Sequence, residues 1–309
     1  GARTVVFDGV VPYDGLVAAR RALPNTPFVW VRRGMWQSTA PTKWLKAARE
    51  FDLVIEPGDL APDRGPTSAL GDATTVAPIC LDSVLPRQSR QAARATLGLD
   101  PDRPALLLAP GAGAVGSGEE SARSVIDTVR KLAPDWTIVV TKQAIAQHSV
   151  AQDRDDIVVL ENVFPLVPHL AAFDAAVGAA GYNSVHELLN ARIPTVFVPS
   201  KHHKIDDQVA RADGVVAKGW AIGSEPSLAD SIAELLDPAS RAELAIRLQQ
   251  IAPMTGGEEA ADLIAELTTG ATPANLWPAP HVGRQLIDVR TQLTEQPQLS
   301  DRVSTADLR

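Results

Sequence analysis

Between Asp174 and Gln208 the sequence admits few folds. A short apolar strand, Asp174–Gly178, empties into the small-residue turn Ala179-Ala180-Gly181, and Asn183 or Ser184 then opens a helix carrying Glu187. A second strand, Pro194–Pro199, ends in a polar loop that closes on Asp206-Asp207-Gln208. A turn that feeds a helix aims free backbone N–H groups at whatever sits above it, which suits a phosphate. Glu187, one turn further on, suits a sugar diol. Asp207 and Gln208 could hold a second sugar. The three together sketch a site for a nucleotide sugar.

The same strand–helix alternation runs through most of the 309 residues. Thr4–Phe7, Phe28–Val31, Leu53–Ile55 and Thr75–Ala77 are short, continuous apolar runs, as expected for strands buried on both faces. Helical patterns at Asp14–Leu23 and Pro41–Glu50 separate the first three. A Pro-containing connector, Leu81–Pro104, holds one helical patch at Arg87–Leu97. A second series then places strands at Ala105–Ala109, Trp136–Thr141, Ile157–Leu160, Ala175–Gly178 and Thr195–Val198, with Val215–Ala221 read as a sixth. Its helices fall at Glu119–Ala133, Gln143–Gln147, Val167–Phe173, Ser184–Ala191, Asp207–Ala212 and Leu228–Leu236. Helices Ala239–Ile251 and Gly257–Leu267 follow, then a tail with one helix at Val282–Leu293. The pattern predicts an α/β protein with doubly wound parallel sheets. Domain limits follow: residues 1–97 for a first domain with its connector, 98–270 for a second, and 271–309 for a C-terminal helix and polar tail.

Composition narrows the class. With 45% hydrophobic and 21% charged residues the chain can bury a core, so it reads as a globular protein rather than a disordered one. A net charge of -8 argues against nucleic acid as a partner, which wants a basic face, and leaves room for local contact at a membrane periphery. The single cysteine, Cys80, excludes a disulfide framework within the chain and reads as a buried thiol in a reducing, cytoplasmic setting. No apolar run is long enough to span a bilayer. The chain opens without Met and almost directly in a strand, which reads as a fragment or a processed product.

Five segments could support chemistry. After the strand Ala105–Ala109, the turn Pro110-Gly111-Ala112-Gly113 is either an ordinary tight turn or a place where a ligand meets bare backbone. Two such turns in one doubly wound sheet can face a single crevice. Glu161-Asn162-Val163-Phe164-Pro165 follows another strand. Phe164 is either core or the flat wall a base needs, with backbone groups to read the base edge. At Asn183-Ser184-Val185-His186-Glu187 the pattern S-x-x-E is also a capping box, so Glu187 is open between cap and ligand contact; His186 reads as packing or surface. His202 and His203 invite a metal reading, but adjacent side chains diverge, and Asp206 and Asp207 open a helix, where acids are favoured anyway. Asp8, in the loop after the first strand, is a conceivable base facing an acceptor cleft or a buried cap-like aspartate.

Taken in order, Gly111–Gly113, the stretch ENVFPLVPHLAAFDAAVGAAGYNSVHELLNARIPTVFVP and the following DDQ resemble the C-terminal nucleotide-sugar domain of GT-B glycosyltransferases. The likeness is strongest to the MurG-like branch, UDP-N-acetylglucosamine transferases of peptidoglycan lipid synthesis, and spans about Leu106–Leu236. Residues 4–80 resemble, more loosely, the second half of the N-terminal domain of that fold. The resemblance implies two Rossmann-like domains, the first incomplete, and transfer of a hexose or N-acetylhexosamine from a UDP-sugar to an acceptor hydroxyl, with no cofactor and no metal. It implies that Val163, after Asn162, reads uracil through its backbone, and that Gly181, Tyr182, Asn183 and Ser184 meet the diphosphate. Glu187 would bridge the ribose hydroxyls, Asp207 and Gln208 would hold the donor sugar with His203 nearby, and Gly111, Ala112 and Gly113 would approach from the other turn. Where the family has a Gly-Ser turn this chain has Pro110-Gly111-Ala112-Gly113. About a hundred residues that the fold normally starts with have no counterpart, a domain-size estimate, so a second chain supplying that half is one expectation. The other readings are a UDP-sugar epimerase using His202, His203 and Asp207, and a nucleotide-binding module without chemistry.

Overall fold

The computed structural model describes residues 2–63, 65–67, 70–110, 117–142, 156–161 and 163–269. In chain order, β1 (Val5–Asp8), α1 (Asp14–Ala22), β2 (Phe28–Val31), β3 (Leu53–Pro57) and β4 (Thr74–Val76) build the first domain. The four strands are parallel in the order β1-β2-β3-β4. The helical pattern expected at Pro41–Glu50 is a 3-10 segment, Thr42–Glu50, that buries Leu45 and Ala48.

The connector holds α2 (Arg90–Leu97), capped by the Ser89 side chain. Then follow β5 (Ala105–Ala109), α3 (Ser117–Leu132), β6 (Thr137–Lys142), β7 (Ile157–Glu161), β8 (Ala175–Ala179), α4 (Tyr182–Asn190), β9 (Thr195–Val198), α5 (Gln208–Ala217), β10 (Ile222–Gly223), α6 (Leu228–Leu236), α7 (Pro238–Leu248) and α8 (Gly256–Thr269). The second sheet is wholly parallel in the order β10-β9-β8-β5-β6-β7. Its direction of winding reverses between β5 and β8. The crevice above the carboxyl ends of those two strands is where doubly wound sheets take ligands.

Why the strands read as unbroken apolar runs is visible in β5. Leu106 and Leu108 pack on one face with Val125, Ile126 and Val129 of α3 and Ile232 and Leu235 of α6. Leu107 points to the opposite face, into a core with Ala176, Leu188, Phe197 and Val215. Both faces are covered, so alternation with polar residues disappears.

Two sequence expectations change. Val215–Ala221 is not a strand: Val215 is the buried face of α5, and the last strand is the two-residue β10 beyond it. An apolar run of that length has the same signature in a buried helix end and in a strand. Residues 256–269, assigned by sequence to the second domain, lie on the first sheet instead. Ala260, Leu263, Ile264 and Leu267 of α8 cover Val29, Ile55 and Val76. Gly256 permits the crossing, since a Cβ there would stand 1.7 Å from the Ala77 carbonyl oxygen. The Glu259 carboxylate accepts from the Ala77 N–H at 2.8 Å. The expected helices at Gln143–Gln147 and Val282–Leu293 lie outside the described residues.

Candidate functional site

A cavity of about 630 Å³ opens between the two sheets. Val10, Arg33, Gly34 and Trp36 line it from the first domain. From the second come the turn Gly181–Ser184, the loop residues Ser200, Lys201, His202 and His203, then Ile205, Asp206 and Gln208, and Ser224 and Glu225. The two walls are stitched together: Gln37 N–H donates to the Ile205 carbonyl at 2.7 Å and Asp207 N–H to the Met35 carbonyl at 2.9 Å.

The floor at the switch point is the start of α4. Gly181 is the N-cap and supplies no side-chain cap. The first intrahelical bond runs from the Val185 N–H to the Gly181 carbonyl. The N–H groups of Tyr182, Asn183 and Ser184 precede it, at the positive end of the helix. Gln208 closes the other side. Its Oε1 accepts from the Ser200 N–H at 3.0 Å, which turns its Nε2 toward the Gly181 turn, 3.9 Å from where a Cβ of Gly181 would stand.

Glu187 is not a capping residue. The N-cap is Gly181, so Ser184 is already the third residue of α4 and the capping-box pattern has no box to form. The carboxyl stands half-buried, and burial first, with the neighbouring Asp82 charge second, pushes its pKa up to about 7. Asp82 in turn accepts from Asn190 Nδ2 at 2.6 Å and pairs with Arg87.

Other expected contacts move. Asp207 is a cap: its Oδ1 accepts from the Ala210 N–H at 3.0 Å and opens α5. The aspartate on the cavity wall is Asp206, one position earlier. Either residue of Asp206-Asp207 could have served as the cap, and the sequence alone does not choose. Asp8 is neither buried nor on the cavity wall; it is exposed at the end of β1, 3.7 Å from Arg33. His203 lines the cavity, with Nδ1 accepting from the Asp206 N–H at 3.0 Å. Phe164 is not core, being 83% exposed, while Val163 packs on the core. Gly111, Ala112, Gly113 and Asn162 lie outside the described residues.

The side chains of Tyr182 and His186 reach the other domain. Tyr182 Oη donates to the Gly58 carbonyl at 2.9 Å and accepts from the Ile79 N–H at 3.0 Å. Its ring stacks on His186 at 4.0 Å. His186 is fully buried and its pKa is lowered by that burial. Its Nε2 accepts from the Leu60 N–H at 3.2 Å and its Nδ1 lies 2.6 Å from the Tyr182 carbonyl, which together fix the neutral Nδ1–H tautomer. Asp206 was read only as opening a helix, and Arg33, Trp36, Asp59 and Arg211 were not anticipated from the sequence. Their only sequence signal is position just past a strand end, or one helical turn into the helix that follows.

Two Rossmann-like parallel sheets facing across a cleft, with a bare helix N-terminus at the switch point of the second, define the GT-B class of fold. Residues 120–267 match the glycosyltransferase family 28 C-terminal domain. The chain is 31% identical over 277 residues to the UDP-N-acetylglucosamine--N-acetylmuramyl-(pentapeptide) pyrophosphoryl-undecaprenol N-acetylglucosamine transferase of Clavibacter sepedonicus, covering 85% of this chain and 70% of that protein. It spans half the length of the Clavibacter michiganensis transferase of the same name. The MurG structure from Acinetobacter baumannii superposes with a TM-score of 0.53 at 18% identity, over 84% of this chain and 72% of that one. A putative UDP-N-acetylglucosamine 2-epimerase from Listeria monocytogenes gives 0.57 at 13% identity, over 88% and 75%. The structural likenesses speak for the fold alone; the sequence match decides the family. The chain belongs to the MurG-like glycosyltransferases of family 28.

Proposed function

We propose that this chain moves a hexose or N-acetylhexosamine from a UDP-sugar to an acceptor hydroxyl across the cleft. The observation that supports this most is the uncapped start of α4 at the switch point, facing a cavity large enough for a sugar nucleotide. In this reading the diphosphate rests on the N–H groups of Tyr182, Asn183 and Ser184, and Glu187 takes the ribose diol. Gln208 and Asp206, in place of Asp207, meet the donor sugar. The acceptor oxygen bonds to the anomeric carbon as the bond from that carbon to the diphosphate oxygen breaks, and the acceptor proton leaves to a base. The charge that builds on the leaving diphosphate is stabilised by the helix N-terminus, a role that asks for no metal ion. No cofactor beyond the donor is part of the proposal.

A cytoplasmic setting fits a sole cysteine that is buried and can form no disulfide within the chain. Among the described residues no helix is long and apolar enough to cross a membrane. Titration calorimetry with UDP and a panel of UDP-sugars tests the site. Binding of UDP that is lost when residues 181–184 are made bulky supports it, and no binding of any uridine nucleotide ends it. The fold is shared with an epimerase and His202 and His203 face the cavity, so incubation with a UDP-sugar alone is the companion assay. Epimerised sugar formed without an acceptor would favour that second reading.

A further inference from the structure

Behind the cavity, and not lining it, stands a fully buried arginine on α5, Arg211. Its guanidinium reaches two hydrogen-bond acceptors and one ion-pair partner, on three segments. Nε donates to Asp59 Oδ2 at 2.7 Å, Nη1 donates to the Ala180 carbonyl at 3.0 Å, and Nη2 pairs with Asp206 Oδ1 at 2.8 Å. Ala180 immediately precedes the Gly181 turn. Asp206 is on the cavity wall. Asp59 belongs to the other domain, two residues past β3. A planar fork fixes the directions of what it binds, which a single ammonium cannot do for three partners.

Asp59 is itself held in place. Its Oδ1 accepts from the Ala61 N–H at 3.1 Å. The adjoining Leu60 donates its N–H to His186, and its carbonyl accepts from Lys218 Nζ at 2.6 Å. Gly214 lets this loop press onto α5, because a Cβ there would stand 2.4 Å from Ala61 Cβ.

We infer that Arg211 is a positioning residue for the donor side of the cavity, and that Asp59 of the other domain sets Arg211 in turn. Through the Ala180 carbonyl the guanidinium fixes the peptide leading into the Gly181 turn. Through Asp206 it fixes a wall carboxylate and offsets a charge that would otherwise repel a diphosphate in the same cavity. Donor affinity then depends on a first-domain carboxylate that does not line the cavity. The inference rests on the UDP-sugar reading above.

The test is titration calorimetry of the whole chain with UDP-N-acetylglucosamine and with UDP, comparing wild type, Asp59→Asn, Arg211→Lys and the double variant. Near-UV circular dichroism and Tm report whether each is folded. Asn at 59 keeps an acceptor for the Ala61 N–H but turns an NH2 donor toward Arg211 Nε, so it removes both the charge and the acceptor that Arg211 uses. Both single variants should bind the UDP-sugar about three- to thirtyfold more weakly than wild type, the usual span for coupling through intermediate residues. The double variant should bind no more weakly than Arg211→Lys alone, because both changes act through one guanidinium. Variants with a lower Tm but wild-type affinity overturn the inference and leave the donor site standing. A wild type that binds neither ligand overturns both. If Asp59→Asn does not fold, Asp59→Glu, which keeps the charge and displaces it by one methylene, is judged by the same outcomes.

Discussion

Glu187 combines two demands on one side chain. As the proposed ligand for a ribose diol it must present carboxylate oxygens, yet its half-buried place beside Asp82 raises its pKa from 4.5 to about 7. The folded protein therefore holds the Glu187 proton more tightly than the unfolded chain does. That stabilising contribution is complete below the unfolded value, near 4.5, and is lost as pH rises through about 7. Glu187→Gln should remove this loss, so a plot of Tm against pH should be flatter across that window than for wild type. The same variant should weaken UDP by about 1–3 kcal/mol, the scale of a hydrogen bond to a charged group, as read by calorimetry at pH 8. A variant whose Tm profile is unchanged would show that this carboxyl does not titrate where its surroundings place it. Glu187 was legible as a candidate from its spacing after the turn. The rejection of its capping role was not, because that depends on whether the helix starts at Gly181 or at Ser184, a shift of less than one turn.

Elements were more legible than their partners. β5, β8 and β9 stand out as apolar runs because both faces of the sheet are covered. α8 was equally visible as an amphipathic segment, but nothing local says which sheet its apolar stripe will cover. Its docking on the first sheet is settled by long-range fit, chiefly the contact at Gly256. Gly256→Ala should force the start of α8 away from Ala77 and uncover part of Val29, Ile55 and Val76. A loss of about 2–4 kcal/mol in denaturant unfolding is expected, in the range of overpacking and lost apolar burial, with an unchanged UDP affinity in the folded fraction. A near wild-type midpoint would mean that the crossing can relax at little cost. The reading of Val215–Ala221 as a strand failed for the reverse reason: the residues were correctly judged buried, but burial does not distinguish the inner side of a helix from a short strand.

At the scale of the molecule, the two sheets are joined by buried polar contacts rather than by a greasy seam alone. Separating them would break the Arg211–Asp59 ion pair and the Leu60 N–H bond to His186, and losing one partner of a buried ion pair is strongly destabilising. The described body should therefore unfold as one cooperative unit. Scanning calorimetry should show a single transition whose calorimetric and van't Hoff enthalpies agree. Two resolved transitions would mean that the domains hold together only weakly. The division into two sheets was readable from the sequence through the Pro-containing connector. Their mutual grip was not, since Asp59 and Arg211 lie 152 positions apart and neither belongs to a recognisable motif.

The return of α8 to the first sheet, where Thr268 Oγ1 meets Thr4 Oγ1 at 2.6 Å, means that the second domain is moored at both of its ends, once by the connector and once by this strap. Cutting the exposed bend at residues 100–102 would therefore not release it. A nicked molecule should travel as one particle on a native gel and part into two bands only when the strap is melted by denaturant.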